Sequence, residues 1–316
     1  MKNKLICAAL LMAAAPWAAA SCGAAFCLVN TNWTLQGPVN EPGLRMDLRY
    51  EYMDQDQPMS GGHKVGVGEV HRHHDEVYTV NRNWLASFDY TFNQNWAVSA
   101  SVPVVDRDHF HIHNHHGHQL EDKWDFRRLG DIRVVGRGQW ALESTGSLGF
   151  AGVTFGVKLP TGRHDVKNGE GEEAERSLQP GSGTTDLILG TFYSRVYAEQ
   201  GLSWFAQAQV QRPTAEREDY RPGSRFTVDV GGRYEVTDRF GLMLQLNAAL
   251  TGRDNGAAAE PDNTGGRALF LSPGVSYAVA KGMQLYGFVQ LPVYQKVNGV
   301  QLTAEQALVA GASFRF

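Results

Sequence analysis

The chain has 316 residues, with 29 Lys and Arg against 33 Asp and Glu, so it is mildly acidic and offers no basic footprint for nucleic acid. Its mean hydropathy is −0.33, and beyond the first 20 positions there is no apolar run of the roughly 20 residues that a membrane helix needs. That excludes a helical membrane protein but not a β-barrel, whose strands alternate lipid-facing apolar residues with lumen-facing polar ones.

Residues 1–20 read as a signal peptide: Lys2 and Lys4 form a basic start, Leu5 to Ala15 an apolar core, and Ala18-Ala19-Ala20 a small-residue cleavage site. No Leu or Val stands three positions before Cys22, so the segment lacks a full lipidation signal. Residues 21–42 show no alternation and are expected to be a periplasmic tail or a plug folded into a lumen. Cys22 and Cys27, with four residues between them in an exported chain, are expected to form a small disulfide loop.

From 43 to 316 the dominant signal has period two. Leu44, Met46, Leu48, Tyr50 and Tyr52 share one face of the first strand; Arg45, Asp47, Arg49 and Glu51 share the other. Similar runs follow at 78–92, 96–104, 132–142, 151–159, 202–211, 226–236, 240–250, 269–279, 283–293 and 306–316. A strand near 187–197 has apolar residues at both parities, Ile188 and Leu189, which leaves its faces unassigned. The sum is an all-β, transmembrane, antiparallel up-and-down barrel of about twelve strands, an even number as bacterial barrels use. A soluble β-sandwich would share the alternation but not the one-sided loop lengths. Short turns at 93–95, 143–147, 198–201, 237–239 and 280–282 alternate with long loops, and Phe92, Trp96, Trp140, Trp204, Tyr234, Phe240 and Phe316 gather at the short-turn ends as an interfacial girdle. Periplasmic turns and long extracellular loops in the bacterial outer membrane follow, with lipid as the surrounding partner.

The inward face is expected to carry Arg45, Asp47, Arg49, Glu51, Arg133, Arg137, Lys158, Asp229, Arg233 and Glu235. These line a water-filled passage of mixed charge with little charge selectivity, or brace the wall as ion pairs. No strand position pairs a Ser with a His, so an enzyme is not expected. The 11 histidines are concentrated: His63, His71, His73 and His74 in a first long loop, His109, His111, His113, His115, His116 and His118 in a second spanning 106–128, and His164 in a third. Imidazole binds zinc, copper or nickel, and alternate spacing from His109 to His115 puts those rings on one face of an extended segment. No cofactor is otherwise implied.

Lys158-Leu159-Pro160-Thr161-Gly162, Pro180-Gly181-Ser182-Gly183-Thr184-Thr185-Asp186, Asn263-Thr264-Gly265-Gly266, and Leu291-Pro292-Val293-Tyr294-Gln295 with Asn298-Gly299 together resemble the outer-membrane family named for the meta-pathway of phenol degradation. The resemblance covers the last half of the chain and implies transport of small, aromatic compounds; it carries no catalytic residue and no His-rich loop. The closing strand to Phe316 resembles the carboxy-terminal signal that the barrel assembly machinery reads. Two functions follow as expectations: a channel for small solutes, or a surface metal-binding protein that uses the barrel as an anchor.

Overall fold

The computed structural model describes residues 28–31, 42–71, 74–115 and 118–316; the expected signal peptide, the Cys22–Cys27 pair, His73 and His116 lie outside them. The strands are β1 (Gly43–Ser60), β2 (His63–Lys64), β3 (His74–Thr91), β4 (Trp96–His115), β5 (His118–Leu129), β6 (Arg133–Ser144) and β7 (Ser147–Lys158). They continue as β8 (Asp186–Tyr197), β9 (Leu202–Pro213), β10 (Arg225–Glu235), β11 (Phe240–Thr251), β12 (Gly266–Ala280), β13 (Met283–Val297) and β14 (Val300–Arg315).

Twelve of these, all but β2 and β5, form a closed antiparallel ring in chain order. β14 closes it against β1, with Arg45 opposite Arg315 and Ser60 opposite Val300. Closure is what lipid demands, because an open sheet edge would leave backbone donors and acceptors unpaired in hydrocarbon. β6 to β11 are 11 or 12 residues long, the length that crosses a bilayer at a tilt. Leu48, Leu189, Leu244 and Val230 point outward and are exposed, while Asp47, Glu51, Asn247 and Ser272 point inward and are buried. Phe92, Trp96, Trp140, Tyr234 and Phe316 are exposed at the short-turn end, as an interfacial girdle requires. The chain is thus a twelve-stranded barrel of the bacterial outer membrane.

Three features depart from the sequence reading. The stretch 106–128, read as a loop, is a β-hairpin: β4 runs on past the ring and pairs with β5 from Val104↔Leu129 to His115↔His118. Its alternation is real but written in polar residues. Val105, Arg107, His109 and His111 are buried on one parity, and Asp122, Trp124 and Phe126 face them from β5. An Arg or His on a buried face defeats a hydrophobicity pattern, yet each is satisfied: Arg107 donates to Asn81 Oδ1 at 2.9 Å and to the Leu178 carbonyl at 2.6 Å, and His109 Nδ1 shares a hydrogen bond with Thr79 Oγ1 at 2.8 Å. Second, β13 and β14 continue to a two-residue turn at Asn298-Gly299, with Gly299 at φ 51°, where a longer loop was expected. Third, the undecided β8 resolves with Ile188 and Phe192 inward and Leu187 and Leu189 outward.

The inward face is also more apolar than the charge alternation implied. Phe150, Phe192 and Phe205 pack together with Leu148 inside the wall. Phe205 lies flat over Gly231, where a Cβ would sit 2.6 Å from its ring. A glycine without a side chain thereby makes room for an aromatic on the next strand.

Candidate functional site: the lumen and its outer cover

Of the expected lumen residues, Asp47, Arg49, Glu51, Arg137, Lys158 and Asp229 are buried inside the ring, Arg45, Arg133 and Arg233 are half-buried, and Glu235 is exposed at the short-turn end. Arg49 pairs with Glu51 at 2.6 Å, Asp47 accepts the Tyr286 hydroxyl at 2.8 Å, and Arg233 lies 3.6 Å from Glu235.

Residues 28–31 cross the interior. Leu28 N–H donates to Gln290 Oε1 at 3.3 Å, and Asn30 N–H donates to Gln245 Oε1 at 3.0 Å. The Asn30 side-chain amide donates to Gln207 Oε1 at 2.9 Å, and the Asn30 backbone carbonyl accepts from Gln245 Nε2 at 2.9 Å. From the opposite wall Arg49 donates to the Val29 carbonyl at 3.2 Å and to Thr31 Oγ1 at 2.9 Å. Val29 is buried among Met53, Met243, Tyr286, Phe288 and Val309. A short segment is therefore tied to strands β1, β9, β11 and β13, on several sides of the ring.

On the outer side of this segment lies a small pocket. Leu28, Met53, Ala249, Phe270, Ala304 and Ala307 give it an apolar lining. Gln55, Gln290 and Arg225 supply polar groups, and the buried Arg225 Nε has no hydrogen-bond partner among the described residues.

Above the cavity the outer connections are ordered by the motif residues. The Lys158 ammonium meets Asp131 at 2.9 Å, Asp186 at 3.3 Å and Ser182 Oγ. Asp131 also accepts the backbone N–H groups of Gly162 and Ser182, each at 3.0 Å. Gly162 and Gly181 touch backbone to backbone, and a Cβ on Gly181 would lie 2.4 Å from the Gly162 oxygen. Asn298 Nδ2 likewise donates to the Thr264 carbonyl at 2.8 Å, and a Cβ on Gly299 would lie 2.3 Å from Asn263 Oδ1. These motifs lock loops together.

The connection 159–185 packs on the β4–β5 hairpin through Val105, Trp124, Phe126, Val166, Ala174 and Leu178. Of the expected metal-binding histidines, His109 and His111 are buried in this packing, with His109 Nε2 3.2 Å from His111 Nδ1. Burial pushes both imidazoles below the usual histidine range, His109 well below. His113 Nδ1 lies 3.9 Å from Asp122, and His111 Nε2 3.5 Å from the same carboxylate. His71 and His118 are exposed, and His115 belongs to β4. His74 stands apart: its ring stacks on His111 at 4.9 Å, and its Nδ1 lies 3.3 Å from Glu175 and 3.4 Å from Glu260. Hydrogen bonds to Glu175 and then Glu260 raise its pKa to about 10. Neither glutamate has a periodic or motif signature, so sequence reasoning missed both. Arg225 was missed for a simpler reason: it sits one residue before the strand start read at Phe226, and extending the parity back from Thr227 finds it.

Residues 125–298 match the family described as "Putative MetA-pathway of phenol degradation". The chain belongs to that family. An outer-membrane channel from Pseudomonas putida F1 has a similar fold, with a TM-score of 0.65 at 15% identity over 91% of this chain and all of that one. The NanC porin (TM-score 0.47, 12% identity, 86% of this chain and 100% of that one) and the KdgM porin (0.43, 10%, 86% and 99%) are more distant. No curated protein matches the chain.

Proposed function

We propose that this family member is an outer-membrane channel that passes small amphipathic solutes, with the cavity above residues 28–31 as the place where a solute pauses. The observation that carries this reading is the cavity itself: an apolar lining around Met53, Phe270 and Ala304, with the Arg225 guanidinium offering an unused donor. Such a pocket suits an apolar body bearing one acidic or hydroxyl group, since the body fills the lining and the polar group satisfies Arg225. A small aromatic acid or phenol has that form, and the family description supports the same class. Residues 28–31, the described part of the segment expected as a tail or plug, act in this reading as a plug that narrows the passage, held by Arg49 of β1 and Gln207 of β9.

Uptake of a small aromatic carboxylate such as benzoate into proteoliposomes tests the reading. Wild type is expected to take up benzoate faster than a neutral sugar of similar mass. Met53→Trp, which fills the cavity, is expected to slow benzoate uptake severalfold. Equal rates for both solutes in wild type, or benzoate uptake unchanged in Met53→Trp, would contradict it.

A further inference from the structure

His74 opens β3, Glu175 lies in the connection between β7 and β8, and Glu260 lies in that between β11 and β12. Going round the ring from β1, β3 is the second strand, the Glu175 connection follows the fifth, and the Glu260 connection follows the ninth. Three side chains rooted so far apart on the rim can meet only where the outer loops converge over the mouth. His74 Nδ1 and one oxygen from each glutamate lie within 4.8 Å of one another. Glu175 Oε1 is buried, with the His74 contact as its ion partner. His113 sets its ring edge-on to His74 at 4.6 Å, so another imidazole borders the same point.

The separations of His74 from the two carboxylates, 3.3 and 3.4 Å, match the edge of a tetrahedron whose centre is about 2.0–2.1 Å from each corner, the bond length of zinc to nitrogen and oxygen. One neutral imidazole and two carboxylates also carry the charge that neutralises a divalent cation. Nitrogen with oxygen donors, and no thiolate in the set, favours zinc or a neighbouring divalent transition metal over copper(I). We propose that His74, Glu175 and Glu260 form a divalent transition-metal site, with water or His113 in the fourth position, that clips three extracellular loops together over the barrel mouth. Without the metal, a proton on His74 supplies the positive charge between the two glutamates. The site is independent of the solute reading, because it concerns the loops alone.

Calorimetric titration of the folded full-length chain in detergent with zinc chloride, and separately with calcium chloride, tests the proposal. One saturable zinc site is expected, with no calcium counterpart. Glu175→Gln, Glu260→Gln and His74→Asn are each expected to weaken zinc binding about tenfold or more, whereas His63→Ala, an exposed histidine outside the set, leaves it unchanged. Heat-modified gel mobility separates misfolding from ligand loss, and the two near-isosteric Gln variants keep the test open should His74→Asn fail to fold. Absence of saturable zinc binding in wild type overturns the proposal. So does zinc binding that survives in a folded Glu175→Gln, Glu260→Gln double variant, since other histidines would then account for it.

Discussion

Lys158→Met is the perturbation whose cost can be worked most fully from the structure. The Lys158 side chain is 7% exposed and its two partners, Asp131 and Asp186, are 8% and 3% exposed. Methionine fills similar volume but leaves two carboxylates in a desolvated site without their cation. Removing one partner of a buried ion pair costs about 3–5 kcal/mol. Here the carboxylates retain other donors: Gly162 N–H and Ser182 N–H on Asp131, and Thr184 Oγ1 at 2.9 Å and Gln211 Nε2 at 2.6 Å on Asp186. The lower end, about 3 kcal/mol, is therefore expected. Urea unfolding of the barrel in lipid vesicles, followed by tryptophan fluorescence, reads this as a midpoint about 1.5 M lower if the slope is about 2 kcal/mol/M. Lys64→Met provides the contrast, because Lys64 and Glu305 are each 62% exposed and such a pair contributes at most about 1 kcal/mol. Equal midpoints for the Lys158 and Lys64 variants would refute the claim that the Lys158 network anchors the outer loops.

Other consequences are as specific. Arg49→Ala removes the Nη1 group whose two hydrogen bonds hold residues 29 and 31 to β1, so open-state conductance in planar bilayers should rise severalfold; an unchanged value would mean that the segment does not limit passage. Phe205→Ala deletes a 2% exposed ring from the inner cluster and should cost about 3 kcal/mol in the same urea assay, whereas a loss under 1 kcal/mol would show that water or neighbours fill the space readily. Acid should destabilise the hairpin. His109 is held neutral in the fold, so as pH drops below 6.5 the unfolded chain takes up the proton first, and stability falls by up to about 1.4 kcal/mol per pH unit. His109→Asn should flatten that slope between pH 6.5 and 5 in urea midpoints, and a slope unaltered by the substitution would assign it elsewhere.

The barrel was legible because lipid imposes period two: Leu44 to Tyr52 against Arg45 to Glu51 declares both the strand and its faces. The His-rich hairpin was not, because Arg107, His109 and His111 occupy its buried face and read as loop polarity until their partners Asn81, Leu178 and Thr79 are known. Aromatic residues inside the wall hid for the converse reason. Phe192 sits on the inward parity in a strand with outward Leu189, so that stretch loses its alternation, and Phe205 is a single inward aromatic beside outward Trp204 in a run that otherwise alternates. The His74, Glu175 and Glu260 meeting depends on three loops converging from distant points of the ring, and no local spacing encodes that.

Single-channel recording of the refolded full-length protein in planar bilayers tests the central claim most directly. Discrete steps of small conductance are expected from wild type and larger ones from Arg49→Ala. Silence from both, in preparations shown to be folded, would contradict a solute channel.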